Sequence, residues 1–123
     1  MNYLNKRYVD LNTVAKDHFE EYQNAKPFPH IVFDNFFNED KLNDILNEFP
    51  KNLDKIGLKY DSDPEQKLTS NNPDRLPIKI NEFLNFTNSH PFVNFVNKIS
   101  NIERPLISDP YLWGAGVHEL KNG

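Results

Sequence analysis

Few side chains in this sequence are equipped for chemistry. Four histidines, His18, His30, His90 and His118, stand among the carboxylates of a 123-residue chain that has no cysteine. That absence removes disulfides, thiolate metal sites and cysteine nucleophiles together. Nor is there a Ser/His/Asp nucleophile context, a phosphate-cradling glycine loop or zinc-ligand spacing; the "GAG" at 114–116 is too short to count. His18-Phe19-Glu20 has the His-x-carboxylate form of a non-haem iron facial triad, with His90 or His118 as the formal third ligand. Geometry opposes it. On a helix, residues i and i+2 point about 200° apart, whereas on a strand they share a face, and "HFEEYQ" lies inside a helical pattern. A solvated helix face is the better reading.

The other candidates are read in the same way. His30 precedes an apolar run and His90 lies between Ser89 and Pro91, which suits a strand-edge residue and a helix-start residue. Asp61, Asp63 and Glu65 invite a calcium reading, but the loop lacks the central glycine and terminal glutamate of an EF-hand. His118 differs. Strand alternation places Gly116, His118 and Leu120 on one face and Val117 and Glu119 on the other. His118 is then either a histidine on an exposed edge or the lining of whatever cavity a completed sheet encloses.

These residues need elements to position them. Asp10 caps a helical pattern of Leu11, Val14, Ala15, Phe19 and Tyr22, which Pro27 and Pro29 close. "HIVFDNFF", His30 to Phe37, is rich in β-branched and aromatic residues and predicts a strand. Asn38 caps the next helix, with Glu39 and Asp40 in its first turn, an apolar stripe of Leu42, Ile45, Leu46 and Phe49, and Pro50 as its stop. Residues 51–75, with "DSDPEQ" and "SNNPD", read mostly as an acidic loop, long enough to suggest a functional lid or edge. Two further helices are expected, from Leu76 to about Asn88 with Ile80, Phe83 and Leu84 on one face, and over Phe92–Ile102 with Phe92, Val96 and Ile99 in register. Trp113 to Leu120 then reads as a strand, and Lys121-Asn122-Gly123 as the turn that should bring its partner.

With 37% hydrophobic residues, 26% charged residues and a formal net charge of −4, the chain carries no global basic field for nucleic acid or an anionic membrane. No segment approaches the ~20 apolar residues of a membrane span, and the first residues lack the apolar centre of a signal peptide. The cytoplasm is the expected location.

"KPFPHIVFDNFFNEDKLNDILNEFP" resembles the opening segment of bacterial and viral 2-oxoglutarate- and Fe(II)-dependent oxygenases of the prolyl 4-hydroxylase-like group. "LISDPYLWGAGVHELKNG" is similar to the stretch that, in that family, runs into a second glycine and the His-x-Asp iron motif. The resemblance spans about Lys26 to Gly123. It implies a double-stranded β-helix, or jelly roll, with iron held by two histidines and a carboxylate, and hydroxylation of an unactivated C–H bond with release of succinate and carbon dioxide. It also implies that the metal ligands lie beyond Gly123. His118 and Leu120 match positions near the co-substrate and carry over as cofactor-pocket lining, not as ligands; "GAG" departs slightly from the family's "GGG".

The expectation is therefore an α+β chain whose N-terminal helices pack on the first strands of an incomplete jelly roll. It is one domain over 1–123, the front portion of a larger oxygenase domain: helix (1–25), strand plus helix (26–50), acidic loop (51–75), helices (76–102) and first jelly-roll strand (103–123). Fe(II), 2-oxoglutarate and a small-molecule or peptidyl substrate belong to the complete domain. For this chain alone no catalytic residue, metal ligand or cofactor is expected. The alternative is a small non-catalytic interaction module that self-associates through an open C-terminal strand edge. If the chain ends at Gly123, the apolar faces of Leu42, Ile45 and Phe49, of Phe83, and of Phe92 and Val96 should lack their covering sheet.

Overall fold

Asp10 starts the first helix as its sequence suggests: its Oδ1 accepts from the Thr13 amide at 3.3 Å, and the Thr13 hydroxyl donates to Oδ2 at 2.8 Å. In the computed structural model, which describes residues 2–49, 58–62, 65–70, 76–109, 111 and 117–120 and the strand segments among them by backbone alone, this helix is α1, Leu11–Asn24. Before it come an extended segment and a 3-10 turn, Lys6–Tyr8. Leu11, Val14 and Ala15, at i, i+3 and i+4, make the buried stripe of α1.

That stripe meets α4, His90–Ser100, through the buried Phe95 and Ile99, with Leu4 completing the cluster. Polar contacts fix the pairing. Gln23 Nε2 donates to the Ile99 carbonyl at 3.0 Å, and Lys98 Nζ to Asn12 Oδ1 at 3.0 Å. Helix α4 ends at Asn101, whose φ of 57° is the left-handed stop common at helix C-termini. It begins two residues earlier and ends two earlier than the apolar spacing suggests, with Pro91 tolerated in the first turn.

The expected strand His30–Phe37 does not form. Residues 30–33 are irregular, Asp34 and Asn35 make a turn with Asn35 at φ 56°, and Val32 is 75% exposed. The reason lies in the spacing of its rings. A strand would send Phe36 to the face opposite Phe33 and Phe37. The turn instead brings Phe33 and Phe36 within 5.1 Å of each other and both onto Phe95. Only an isolated bridge, Leu4 to Phe37, survives; the Asn5 amide donates to the Phe36 carbonyl at 2.9 Å and the Asn38 amide to the Tyr3 carbonyl at 2.7 Å.

Asn38 also caps α2, Glu39–Glu48, its Oδ1 accepting from the Lys41 amide at 3.2 Å. α3, Ile78–Thr87, follows Pro77 and buries Ile80, while Phe83 and Phe86 stack into the aromatic cluster around Tyr3, Phe37 and Phe92. Helix α2 packs on α3, and α3 on α4. The segment after α4 is tied back by the Leu106 amide to Asn97 Oδ1 and by the Asp109 amide to Asn88 Oδ1 at 2.6 Å.

The expected α+β architecture of helices on an incomplete jelly roll is overturned. Where side chains are described, the chain forms four helices and no strand, and the helices bury their apolar faces against one another and against inserted phenylalanines. Phe83, Phe92 and Val96, expected to lie uncovered, are partly buried in this way. The stripe of α2 is the exception: Leu42, Leu46 and Phe49 are exposed while Ile45 is half-buried.

The expected loop over 51–75 contains two strands by backbone, β1 (Leu58–Ser62) and β2 (Glu65–Ser70); residues 51–57, 63–64 and 71–75 lie outside the described residues. The last four residues of the expected C-terminal strand are present as β3 (Val117–Leu120), while 113–116 and the expected turn at 121–123 lie outside the described residues. β3 pairs antiparallel with β2, in the order β1-β2-β3, so the partner it has among the described residues precedes it in the chain. No helix among the described residues is long and apolar enough to cross a membrane.

Candidate functional site

Among the described residues His18, His30 and His90 do not gather with carboxylates into a ligand set. On α1, His18 Nδ1 lies 3.3 Å from Glu21 Oε1, one residue beyond the Glu20 of the His-x-Glu pattern. The His18 ring meets Phe33 edge-on, and Glu20 accepts from Asn24 at 3.4 Å. This is the i, i+3 neighbour relation of a helix surface, which excludes an i, i+2 chelate. His30 Nδ1 donates to the Phe28 carbonyl at 2.8 Å. His90 is exposed at the first position of α4. Asp61 is opposite Gln66 across β1 and β2, Glu65 is opposite Ser62, and Asp63 lies outside the described residues.

His118 stands opposite Thr69 in the β2–β3 register, and Leu120 opposite Lys67. Their separation by two puts both on one face of β3, as alternation requires, with Val117 and Glu119 on the other. Gly116, the third residue expected on that face, lies outside the described residues. Among the described residues no group of three His, Asp or Glu side chains could hold a metal ion.

A cleft that the histidine patterns did not indicate lies between α2 and α3. It has a volume of about 260 Å³ and is lined by Tyr3, Lys41, Asp44, Ile45, Lys79 and Glu82. The spacing explains the charges: Lys41 and Asp44 are i, i+3 on α2, and Lys79 and Glu82 are i, i+3 on α3, so each helix presents one cation and one anion on its cleft side. Yet among the described residues these four side chains form no ion pair with one another.

Tyr3 is the buried member, only 6% exposed. Its ring is held by Phe83 at 5.4 Å, edge to face, and by Phe86 at 5.1 Å, and its carbonyl by the Asn38 amide. Burial first, and then the Glu82 carboxylate, push the phenol above its usual pKa, so at neutral pH the hydroxyl keeps its proton and remains a donor. The opposite-sign i, i+3 pairs could have been read as two charged helix faces, but Tyr3 belongs to the site only through the tertiary contact of the N-terminal segment with Asn38.

A shallower groove of about 320 Å³ lies where the starts of α1 and α4 approach, between Asp10, Asn12, His90 and Asn94. The Asp10 carboxylate already occupies the start of α1 there as its cap.

Compared with known proteins, the chain matches no family model, no curated protein and no solved structure.

Proposed function

We propose that this chain is the helical N-terminal portion of a non-haem Fe(II)/2-oxoglutarate-dependent dioxygenase, a hydroxylase, and that it carries no iron ligand of its own. One observation supports the reading: "KPFPHIVFDNFF" leading into a helix followed by "FP", and then, after β1, β2 and two helices, "DPYLWGAGVHEL", the two stretches standing in the order that the oxygenase resemblance requires. The helical core lends it no support. On this reading the His-x-Asp pair, the second iron-binding histidine and a basic residue that grips the far carboxylate of 2-oxoglutarate belong to sequence that follows the "GVHELKNG" stretch. Bound iron and 2-oxoglutarate would supply hydroxylation of a C–H bond with release of succinate and carbon dioxide. The contribution of this chain is to hold His118 and Leu120 on one face of β3, as lining beside the co-substrate. The substrate is a small molecule or a peptide, and the location is the cytoplasm.

Expression of the chain together with the coding sequence that follows it tests the proposal. Iron-dependent conversion of 2-oxoglutarate to succinate is expected from the longer protein and not from residues 1–123. Failure of the longer, folded protein to consume 2-oxoglutarate would contradict it.

A second reading has an observation of its own. Among the described residues β3 stands at one edge of the order β1-β2-β3, and an edge strand offers backbone donors and acceptors to another chain. An interaction module that associates through β3 would form dimers that a proline at His118 abolishes.

A further inference from the structure

We propose that the cleft between α2 and α3 binds a small zwitterion with an apolar side chain, the free α-amino-acid class, independently of any oxygenase chemistry elsewhere. The first observation is Tyr3. It is 6% exposed, it lines the cleft, and its hydroxyl has no hydrogen-bond partner among the described residues. Tyr3 lines an open cleft, so whatever fills that cleft, water or ligand, is what can meet the hydroxyl. Its ring is fixed by Phe83 and Phe86 and its backbone by Asn38. A ligand acceptor in the cleft would satisfy it.

The second observation is the charge pattern. Lys41 and Lys79 bring two ammonium groups to the cleft, Asp44 and Glu82 two carboxylates, and none of the four is in an ion pair among the described residues. An anion such as phosphate would meet both carboxylates, and a simple amine would leave both lysines unmatched. An apolar molecule would engage none of the four charges. A zwitterion answers both signs: its carboxylate toward the lysines and the Tyr3 hydroxyl, its ammonium toward Glu82 and Asp44. The Ile45 side chain provides the apolar wall.

Size narrows the class. At about 260 Å³ the cleft is below the range of roughly 300–1,000 Å³ typical of drug-sized ligands, which leaves room for a single amino acid rather than an extended peptide.

The test is a protein-observed NMR titration of the 123-residue chain with L-leucine, and in parallel with 3-methylbutylamine, which lacks the carboxylate, and 4-methylpentanoate, which lacks the ammonium. Saturable shifts centred on Tyr3, Lys41, Ile45 and Glu82 are expected for L-leucine, with each analogue weaker by roughly tenfold or more, as loss of a charge-assisted hydrogen bond implies. Tyr3→Phe, which keeps the ring packing, should weaken L-leucine several-fold without lowering the thermal midpoint. Glu82→Gln, at an exposed position, should do the same and guards against a folding defect in the first variant. Absence of saturable shifts, equal binding of either analogue, or unchanged affinity in both variants would overturn the proposal. None of these outcomes depends on iron or 2-oxoglutarate.

Discussion

The Asn38 amide donates to the Tyr3 carbonyl at 2.7 Å, while the side chain of the same asparagine caps α2 through the Lys41 amide at 3.2 Å. One residue thus both starts the helix and anchors the N-terminal segment beside it. That double attachment holds Tyr3 between α2 and α3, and it gives the first residues of the chain a structural role they would lack as a free tail.

Phe95 belongs to the buried cluster that joins α1 to α4. It is 5% exposed and touches Phe33, Phe36 and Phe92, so it joins α4 to the irregular segment before α2. Phe95→Ala should cost about 3–5 kcal/mol, measured by urea unfolding. Phe28→Ala, at a side chain 63% exposed, should change stability by no more than about 0.5 kcal/mol.

Asn35 and Asn101 both hold positive φ, 56° and 57°. The left-handed region costs an ordinary residue roughly 1–2 kcal/mol, and glycine nothing. Alanine at either position should therefore lower the unfolding midpoint, and glycine should leave it unchanged or raise it. Opposite behaviour at Asn35 would argue that residues 30–37 are extended after all.

How far these features could be read in advance varies along the chain. The caps Asp10 and Asn38, the apolar stripes of α1 and α4, and the prolines Pro27 after α1 and Pro91 in the first turn of α4 are local, and they located the helices to within a few residues. "HIVFDNFF" misled because β propensity measures how well a residue fits a pleated, half-buried surface. The rings of Phe33, Phe36 and Phe37 find that burial against Phe95 and Phe83 through a turn. "DSDPEQ" contains the polar residues of a loop and gives no sign that Asp61 and Ser62 end β1 opposite Gln66 and Glu65 at the start of β2, since that pairing is set by the register of the backbone. The α2–α3 cleft was hidden for another reason. Its charges are local to each helix, but Tyr3 enters from 35 positions before Asn38, and only the folded contact brings them together.

Asp10 should give stability a specific acid dependence. The Thr13 side-chain hydrogen bond, and then the Thr13 amide, hold its carboxyl below the usual range. A folded-state value below the unfolded one stabilises the protein above the unfolded pKa of about 3.9, and the contribution is lost as pH falls through the lower folded value. Asp10→Asn keeps a capping acceptor but cannot titrate. Its midpoint should lie below that of the unaltered protein near neutrality, and the gap should close in acid.

Leu46 is 67% exposed on the stripe of α2 and Leu42 is 41% exposed beside it. Leu46→Glu should leave the unfolding free energy within about 0.5 kcal/mol and lower the binding of an apolar dye. Unchanged dye binding would mean that the accessible apolar surface lies elsewhere.

The central claim, that this chain supports an oxygenase whose iron ligands it does not contain, is tested most directly by reading the transcript past the codon for Gly123. The account predicts an open frame with a second glycine and a His-x-Asp pair shortly after it, and a further histidine on a later strand. A stop codon at once, or an open frame without that pair, would contradict it.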